Sequence, residues 1–332
     1  MHQAPTTQRG QAGSGAECAR LPLARSCGTP RALAPRLPTR RPRTHAAATQ
    51  MLVPLAGGGQ ETLLSEVGFV LLPLFTTRDA SALRLVCREF LAAVTEYPWE
   101  DRVTVIQGSI AAWRACFPLA RCANVQRYEW GGGLNKRTAP VVDADFVHFE
   151  GLRELYMVDC KDATDAAFVH LRGIHTLDMT GCGQHTITDA AFAHLAGIQR
   201  LSICACGQAP LTDAAFAHLR GIQLLNMGGC RQFTDAAFVH LRGIHALFMW
   251  YCNQPAITDA AFLHLRGTHT LVMNYCDQAT ITGATLSSLQ GASMLAMYRC
   301  SAAATATAQS LGFPVHTREG AAYGALTYVG RG

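Results

Sequence analysis

Hydrophobic and polar positions repeat along the chain from about residue 122, with a spacing of 22 or 24 residues. The string Thr-Asp-Ala-Ala-Phe occurs five times, and a cysteine recurs at one place in each period. The strings begin at Thr164, Thr188, Thr212, Thr234 and Thr258, and the cysteines are Cys160, Cys182, Cys206, Cys230, Cys252, Cys276 and Cys300. This self-similarity predicts a solenoid, in which each unit buries its apolar face only against its neighbours.

One period predicts a short strand followed by a short helix. Leu177 and Met179 alternate with other residues, as the inward side chains of a strand do. Thr188 is suited to cap the N-terminus of the helix, where Asp189 is favoured by the helix dipole. The helix is expected to end at Gly197 in a left-handed conformation. Its buried stripe consists of Ala191, Phe192 and Leu195.

Both ends of the repeat array depart from this pattern. At the start, Val125, Tyr128 and Trp130 fit the apolar frame, and a longer loop follows them. At the end, Thr282 and Gly283 replace the usual Thr-Asp pair. Divergent end units are expected because no further repeat covers their outer face. We therefore expect roughly eight strands over residues 122–300, followed by a cap or tail over residues 301–332.

A different pattern precedes the repeats. Apolar residues recur at steps of three and four between residues 60 and 101, with a polar break from Thr76 to Asp79. This spacing predicts two or three short amphipathic helices, which end near Pro98 and Trp99.

Composition and charge exclude two classes of protein. Hydrophobic residues make up 49% of the 332 residues, yet the longest apolar run, residues 67–75, is too short to span a membrane. The net charge of +5 originates in residues 1–50, which hold eight arginines and one acid. Residues 51–332 hold 20 basic and 22 acidic residues, so the basic balance does not indicate a nucleic-acid partner. We expect neither membrane insertion nor nucleic-acid binding.

Residues 1–50 are rich in Arg, Pro, Ala and Thr and lack apolar periodicity, so we expect them to be disordered. An acid-poor, Arg-rich start is also typical of an organelle transit peptide, and translation from Met51 is a third alternative. The 13 cysteines, an odd number without an apolar signal core before them, indicate free thiols in a reducing compartment. The expected location is the cytoplasm or the nucleus, with organelle import as the alternative.

Two ladders of reactive side chains accompany the repeats. Stacked strands would place the cysteines about 4.8 Å apart with parallel side chains, which suits neither a zinc site nor a disulfide. We expect these cysteines to be buried, with each S–H directed to a loop carbonyl. A histidine two residues after each core Phe should face away from the core. These histidines are His148, His170, His194, His218, His240 and His264.

No catalytic motif is found in the sequence. The glycine-rich stretch 131–136 lacks the Gly-Lys-Ser/Thr of a phosphate-binding loop, and neither G-x-S-x-G nor H-E-x-x-H occurs. We expect a non-catalytic protein that needs no metal and no cofactor.

The strand positions that vary between repeats are the candidates for recognition. They are small or polar in the N-terminal half and aromatic in the C-terminal half, and an exposed aromatic patch is typical of a protein-binding surface. Trp250 is central, because Cys204 and Gly228 at the equivalent positions would leave room for a partner. Alternatively, the C-terminal tail folds over these rings. The candidate target-binding residues are Tyr156, Asp178, Asn226, Phe248, Trp250, Tyr251, Tyr275 and Tyr298.

The repeat pattern L-x-x-L-x-L-x-x-C, carried by Ile174, Leu177, Met179 and Cys182, resembles the cysteine-containing class of leucine-rich repeats. The resemblance covers residues 122–300. It implies an α/β solenoid of short parallel strands and short helices, preceded by the small all-α module of residues 60–101.

That module resembles the F-box motif, most closely in the string Leu-Arg-Leu-Val-Cys-Arg-Glu-Phe at residues 83–90. An F-box followed by cysteine-type repeats is characteristic of substrate receptors of SCF (Skp, cullin, F-box) ubiquitin ligases. The resemblance implies that the F-box binds a Skp-type adaptor and, through it, a cullin, while the repeats bind a target protein. The residues implied to bind the adaptor, or alternatively to pack the three-helix module, are Leu64, Val67, Leu71, Leu74, Leu83, Val86 and Phe90. The alternative is a stand-alone repeat scaffold or inhibitor, in which the helical module caps the solenoid.

Overall fold

A parallel sheet organises the computed structural model, which describes residues 71–127, 136–207 and 210–317. Within these residues the sheet has nine short strands, each hydrogen-bonded to the next in chain order. They are β1 (Cys122–Asn124), β2 (Glu154–Tyr156), β3 (Thr176–Asp178), β4 (Arg200–Ser202), β5 (Leu224–Asn226), β6 (Ala246–Phe248), β7 (Thr270–Val272), β8 (Met294–Ala296) and β9 (Val315–His316). The register is constant, so Leu155 pairs with Leu177 and Leu177 with Leu201.

Short helices form a second layer behind the sheet and, in the segment before β1, a small cluster of their own. The α-helices are α1 (Thr77–Leu83), α2 (Arg88–Glu96), α3 (Ile110–Cys116), α4 (Asp189–Phe192), α5 (Asp235–Phe238), α6 (Asp259–Phe262) and α7 (Ala302–Ser310). The 3₁₀ helices are Leu72–Leu74, Asp143–Phe149, Asp165–Leu171, Ala193–Leu195, Asp213–Leu219, Val239–Leu241 and Leu286–Leu289.

The core between the layers confirms the predicted repeat. Leu177 and Met179 are fully buried on the inner face of β3, and Phe192 is buried on α4. The Thr188 hydroxyl accepts a hydrogen bond from the N–H of Ala190 at the start of α4, at 3.2 Å. Gly197 has a φ of 87°, the left-handed conformation that follows a helix end. The chain therefore folds as a leucine-rich-repeat solenoid of the α/β class.

The cysteine ladder lies within this core. Each thiol from Cys160 to Cys300 donates to a backbone carbonyl of the preceding unit; Cys182, for example, donates to the Met157 carbonyl at 3.2 Å. Burial raises the pKa of the Cys160 and Cys300 thiols to about 12, so they remain protonated donors at neutral pH. The expected structural role of the cysteines is confirmed.

A ladder of carboxylates on the helical side joins each unit to the next. The Asp165 carboxylate accepts hydrogen bonds from both the N–H (2.7 Å) and the hydroxyl (2.6 Å) of Thr188 in the following unit. The same bidentate contact occurs in the other Asp-Thr pairs: Asp143–Thr164, Asp189–Thr212, Asp213–Thr234, Asp235–Thr258 and Asp259–Thr282. The repeated Asp therefore bonds neighbouring units together, beyond its favourable position at a helix N-terminus.

The difference in length between units of 22 and 24 residues is confined to one loop. The two extra residues always lie between the cysteine and the following threonine, as a comparison of residues 160–164 with residues 182–188 shows. Where a glutamine lies two residues after the cysteine, its side chain donates hydrogen bonds to backbone carbonyls of the preceding unit. Gln184 donates to the Ala163 carbonyl at 3.1 Å, and Gln254 donates to the Phe233 carbonyl at 3.1 Å. Strand register is therefore independent of unit length.

The first repeat differs from the sequence expectation. Ala123, rather than Tyr128, pairs with Leu155, so the first strand begins at Cys122 and Val125 occupies the second inward position. Ala123 and Val125 are small, and this gives β1 a weak apolar signal. Tyr128 and Trp130 lie outside the described residues.

The segment before β1 covers the N-terminal edge of the sheet. The N–H of Ile106 donates to the Asn124 carbonyl at 2.8 Å, and the Asn124 amide donates to the Arg102 carbonyl at 2.9 Å. Trp113 on α3 packs against both the repeat core and the separate small core of α1 and α2. The helical module and the solenoid are thus packed together.

The last repeat is covered by protein at the position where Gly283 replaces Asp. A β-carbon at Gly283 would lie 2.9 Å from Cβ of Thr307 and 3.0 Å from Cα of Ala304, both on α7. Gly283 also has a φ of 93°, which favours glycine. The unit therefore differs because α7 packs on it. The eight strands predicted over residues 122–300 are confirmed, and a ninth, β9, pairs with β8 from the segment that was predicted as a cap or tail.

We expect Asp213→Ala to destabilise the protein by about 2 kcal/mol, because the N–H and the hydroxyl of Thr234 lose a charged acceptor. Urea unfolding measures the change. Thr234→Ser keeps both donors and should cost much less. Equal losses in the two variants would show that the carboxylate contact does not stabilise the solenoid.

Candidate protein-binding surfaces

The residue column that follows the strands forms one rim of the sheet, and we call it the turn column. Its members take a left-handed backbone, with φ between 55° and 75°. They are Asp159, Gly181, Ala205, Gly229, Tyr251, Tyr275 and Arg299. In most of them, the N–H donates to a carbonyl of the next unit, as Tyr251 does to Asn274 at 2.9 Å. The backbone conformation is thus required by the sheet and is independent of the side chain.

Bulky residues occupy this column only towards the C-terminal end. A left-handed conformation costs a residue with a β-carbon about 1–2 kcal/mol, and Gly181 and Gly229 avoid that cost. Tyr251 and Tyr275 nevertheless take φ of 58° and 62°. Two bulky residues in this conformation are therefore candidates for a functional role.

The rings of this end form a continuous aromatic row. Tyr251 and Tyr275 stack with centroids 4.2 Å apart and planes 10° apart, and Tyr298 meets Tyr275 edge-on at 5.3 Å. The Arg299 guanidinium lies 5.8 Å from the Tyr275 centroid and 5.7 Å from the Tyr298 centroid. Tyr251 is 37% exposed, and Tyr275 and Tyr298 are partly exposed. Tyrosine and arginine are the residue types enriched at protein-binding hot spots.

Trp250 adjoins the row at 5.7 Å from Tyr251, but its surroundings differ from the expectation. The indole packs flat on Gly228, where an added β-carbon would lie 2.6 Å from Nε1 and 2.7 Å from Cδ2. The space expected for a partner is filled by the ring itself. Trp250 is only partly exposed, and its buried Nε1 has no hydrogen-bond partner among the described residues.

Phe248 was expected in the same exposed patch, and this expectation of exposure is wrong. It is 2% exposed and belongs to a buried apolar cluster on the outer face of the strands. The cluster consists of Ala246, Phe248, Val272 and Ala296, with Trp250 packed against it. The tail residues 318–332, which were the alternative cover for these rings, lie outside the described residues.

We expect Gly228→Ala to destabilise the protein by about 1–3 kcal/mol, because the added methyl group must displace the indole of Trp250. Thermal or urea unfolding of Gly228→Ala, Trp250→Ala and the double variant measures the coupling. In the Trp250→Ala background the cost of Gly228→Ala should disappear.

Gly108→Ala is the matched control, since an added β-carbon there meets nothing within 4 Å. It should leave stability nearly unchanged. A Gly228→Ala variant as stable as Gly108→Ala would contradict the packing of the indole on Gly228.

The N-terminal half of the outer strand face is polar, as predicted. Asp178 is partly buried and accepts hydrogen bonds at Oδ1 from the N–H (3.0 Å) and the hydroxyl (2.6 Å) of Thr180. The Thr180 hydroxyl also contacts the Ser202 hydroxyl at 2.8 Å. Burial raises the pKa of the Asp178 carboxyl, despite the opposing effect of these donors. Tyr156 and Asn226, predicted in the same column as target-binding residues, are buried, so their expected exposure is wrong. The Tyr156 hydroxyl donates to Glu154 at 3.1 Å, and Asn226 Oδ1 accepts from the N–H of Gly228 at 3.2 Å.

We expect Asp178→Asn to be more stable than the wild type at neutral pH. Because the folded-state pKa is raised, the carboxyl contributes stability below its unfolded pKa of about 4, and this contribution is lost as pH rises through the folded pKa. The asparagine oxygen can still accept from Thr180. The difference in the free energy of unfolding, variant minus wild type, should therefore grow with pH from about 4 upward.

Denaturant unfolding across this pH range checks the expectation, with Asp277→Asn, an exposed aspartate, as the control. A pH-independent difference at residue 178 would contradict it.

The helical module exposes apolar side chains. Of the predicted adaptor-binding residues, Leu71, Leu74 and Val86 are exposed, with Leu74 at 71%. Leu83 and Phe90 are partly buried, and Leu83 packs against the small core of the module. Leu64 and Val67 lie outside the described residues.

Three residues with candidate roles were missed in the sequence. Leu85 is 87% exposed, and Leu91 on α2 is also exposed. Leu85 does not fit the three- and four-residue spacing to which Leu83 and Val86 belong. This departure was the sequence signal that could have identified it as an exposed leucine. Arg299 was missed because the sequence analysis selected only the tyrosines of the turn column as candidates.

The remaining candidate chemistry is weak in the described residues. The six histidines of the ladder are exposed or partly exposed, as predicted, and His170 pairs with Glu150 at 2.6 Å. The described part of the chain holds no group of three or more His, Cys, Asp or Glu positioned to bind a metal. Among the described helices, none has the length and apolar character needed to cross a membrane.

Comparisons with known proteins find distant likenesses among solved structures. No family model matches the chain, and no curated protein matches it. Among solved structures, the Rad7 and Elc1 complex in yeast matches at 17% identity with a TM-score of 0.35, over 46% of this chain and 44% of that chain. A TLR13-ssRNA13 complex matches at 13% identity with a TM-score of 0.46, over 62% of this chain and 30% of that chain. The chain thus spans less than half the length of either structure, and likenesses this low carry no argument about fold or function.

Proposed function

We propose that the chain is a substrate-recognition subunit of an SCF-type ubiquitin ligase, which acts in the cytoplasm or nucleus. In this proposal the helical module binds a Skp-type adaptor, and through it a cullin, while the repeats bind a target protein. The chain itself carries out no chemistry, and ubiquitin is transferred by other subunits. The leucine-rich-repeat architecture supports the coarser role in protein interaction.

The observation that carries the proposal is the exposed apolar surface of the helical module. Five large apolar side chains between residues 71 and 91 are exposed, although the module has its own small core. Leaving Leu74 and Leu85 in water forgoes the burial free energy of about 25 cal/mol per Å² that a partner would provide. Single exposed leucines are ordinary, but several in one 21-residue segment are typical of an interaction surface. These side chains are Leu71, Leu74, Leu85, Val86 and Leu91.

The target-binding part of the proposal rests on the aromatic row. Tyr251, Tyr275 and Arg299 hold an unfavourable left-handed backbone, and the first two rings stack on each other. Stacked rings lose little side-chain freedom when a partner covers them, and this favours binding.

A second candidate function is a stand-alone scaffold or inhibitor, in which the module only caps the solenoid. It is favoured by the position of Trp113, which contacts both cores, and by the bidentate ion pair between Arg102 and Glu154 on β2. Such a cap needs the buried side of the module and makes no use of Leu85. The two functions therefore differ in what happens when Leu85 is truncated.

We expect Leu85→Ala and Tyr251→Ala to separate the two binding activities of the full-length chain. Leu85→Ala should weaken co-purification of a Skp-type adaptor and cullin by about 2 kcal/mol, or roughly thirtyfold, and leave target binding intact. Tyr251→Ala should do the reverse. Affinity purification with mass spectrometry identifies the proteins, and titration of the purified adaptor measures the affinity.

Each variant is the control for the other, and Leu263→Ala, a 53% exposed leucine within the repeats, is the control for the loss of a surface leucine. The scaffold function would be favoured if neither adaptor nor cullin co-purified with the wild type. It would also be favoured if Leu85→Ala and Leu263→Ala bound the adaptor equally. Unaltered target capture by Tyr251→Ala would exclude the aromatic row as the target site.

A further inference from the structure

A basic cleft lies at the opposite end of the solenoid from the aromatic row. It has a volume of about 370 Å³, and its described lining comprises Arg127, Lys136, Arg137, Thr138, Asp159 and Lys161. Arg127 follows β1, and Asp159 is the first member of the turn column, after β2. The backbone hydrogen bond from Arg127 to Val158, at 2.8 Å, holds the first two units in register. The cleft is therefore built on the sheet edge.

Arg137 is a buried cation without a carboxylate partner among the described residues. It is 5% exposed, and its Nη1 donates to the carbonyls of Ile106 (2.8 Å) and Gly108 (2.7 Å). Its buried Nε has no hydrogen-bond partner in the described part of the chain. The acid that acts on it at longer range, Asp145, is engaged by the N–H of Val142 at 3.0 Å. A buried arginine is normally paired with an acid, so Arg137 adds an uncompensated positive charge to the cleft that it lines.

The other cations leave the cleft with an excess of positive charge. Arg127 pairs with Asp162 at 2.8 Å, and Lys161 pairs with Asp159 at 2.8 Å. The described residues provide no acid partner for Lys136, which is exposed at the cleft. Lys136 and Arg137 are thus two positive charges that the surrounding acids do not balance.

We propose that this cleft binds a phosphate group, carried either by a phosphorylated side chain of a protein or by free phosphate. A phosphate monoester has a charge of about −1.5 to −2 at neutral pH and three acceptor oxygens. Two unbalanced cations and the Thr138 hydroxyl match that charge and those acceptors. Arg137 is already fixed by the Ile106 and Gly108 carbonyls, so binding would lose little side-chain freedom.

The charge distribution of the region favours a single phosphate over a nucleic acid. A volume of about 370 Å³ holds a phosphate together with part of the group that carries it. A nucleic-acid surface would need a stripe of cations along the backbone, whereas these cations form one cluster and residues 51–332 have a slight acidic excess.

Isothermal titration of the full-length chain tests the proposal with four probes. These are a phosphoserine peptide, the same peptide unphosphorylated, inorganic phosphate and a single-stranded RNA. We expect binding of the phosphopeptide or of phosphate at millimolar or lower concentration, and no binding of the unphosphorylated peptide. Lys136→Ala should weaken this binding by at least about tenfold. Arg220→Ala, an exposed arginine within the repeats, is the matched control and should leave it unchanged.

The titrations with the phosphopeptide and with inorganic phosphate also identify the source of the phosphate group. Tighter binding of the phosphopeptide than of inorganic phosphate would assign the cleft to a phosphorylated protein, and the reverse order would assign it to free phosphate. The proposal is overturned if neither ligand binds, if Lys136→Ala binds as the wild type does, or if the RNA binds more tightly than the phosphopeptide and inorganic phosphate do. Thermal unfolding confirms that Lys136→Ala is folded, and Arg137 stays unaltered because its carbonyl contacts support the fold. The test involves neither adaptor nor target and is independent of the proposed ligase role.

Discussion

The constant register of the parallel sheet is the constraint on which the rest of the structure depends. Each strand has only two or three residues, so it contributes few hydrogen bonds and must be positioned from both sides. On the core side, a cysteine thiol donates a hydrogen bond to the carbonyl of the residue that follows the preceding strand. On the helical side, an aspartate accepts two hydrogen bonds from the threonine of the next unit. A one-residue slip would break all of these contacts and turn the leucine row away from the core.

These contacts also show why the units tolerate unequal lengths. The thiol and aspartate contacts lie on either side of the loop that carries the two extra residues, and Gln184 or Gln254 bonds that loop to its neighbour. Loop length can therefore vary without moving the strands. The variable residues on the strand face and in the turn column remain aligned across all units, and this alignment turns separate repeats into one surface.

Periodicity predicted the features that every unit shares and missed those that need a neighbour to be seen. The strand and helix of a unit, the left-handed Gly197 and the buried thiols follow from spacing within one period. The two hydrogen bonds that Thr188 donates to the Asp165 carboxylate could not be predicted, because within one unit an aspartate after a threonine indicates only a helix start. Likewise, Gly228 beside Trp250 was read as open space, whereas in three dimensions the glycine is the surface on which the indole packs.

The turn column shows how the fold separates stability from recognition. Its backbone amides bond across the sheet whatever the side chain, so Asp159, Gly181 and Tyr251 are structurally equivalent positions. The only constraint on the residue is the cost of a left-handed backbone, and that cost is lowest for glycine. Gly181 and Gly229 avoid that cost, whereas Ala205 takes it with a methyl group alone. Tyr251 and Tyr275 take it at neighbouring positions where their rings stack on each other, so recognition by large side chains is confined to the C-terminal end of a column whose backbone is the same throughout.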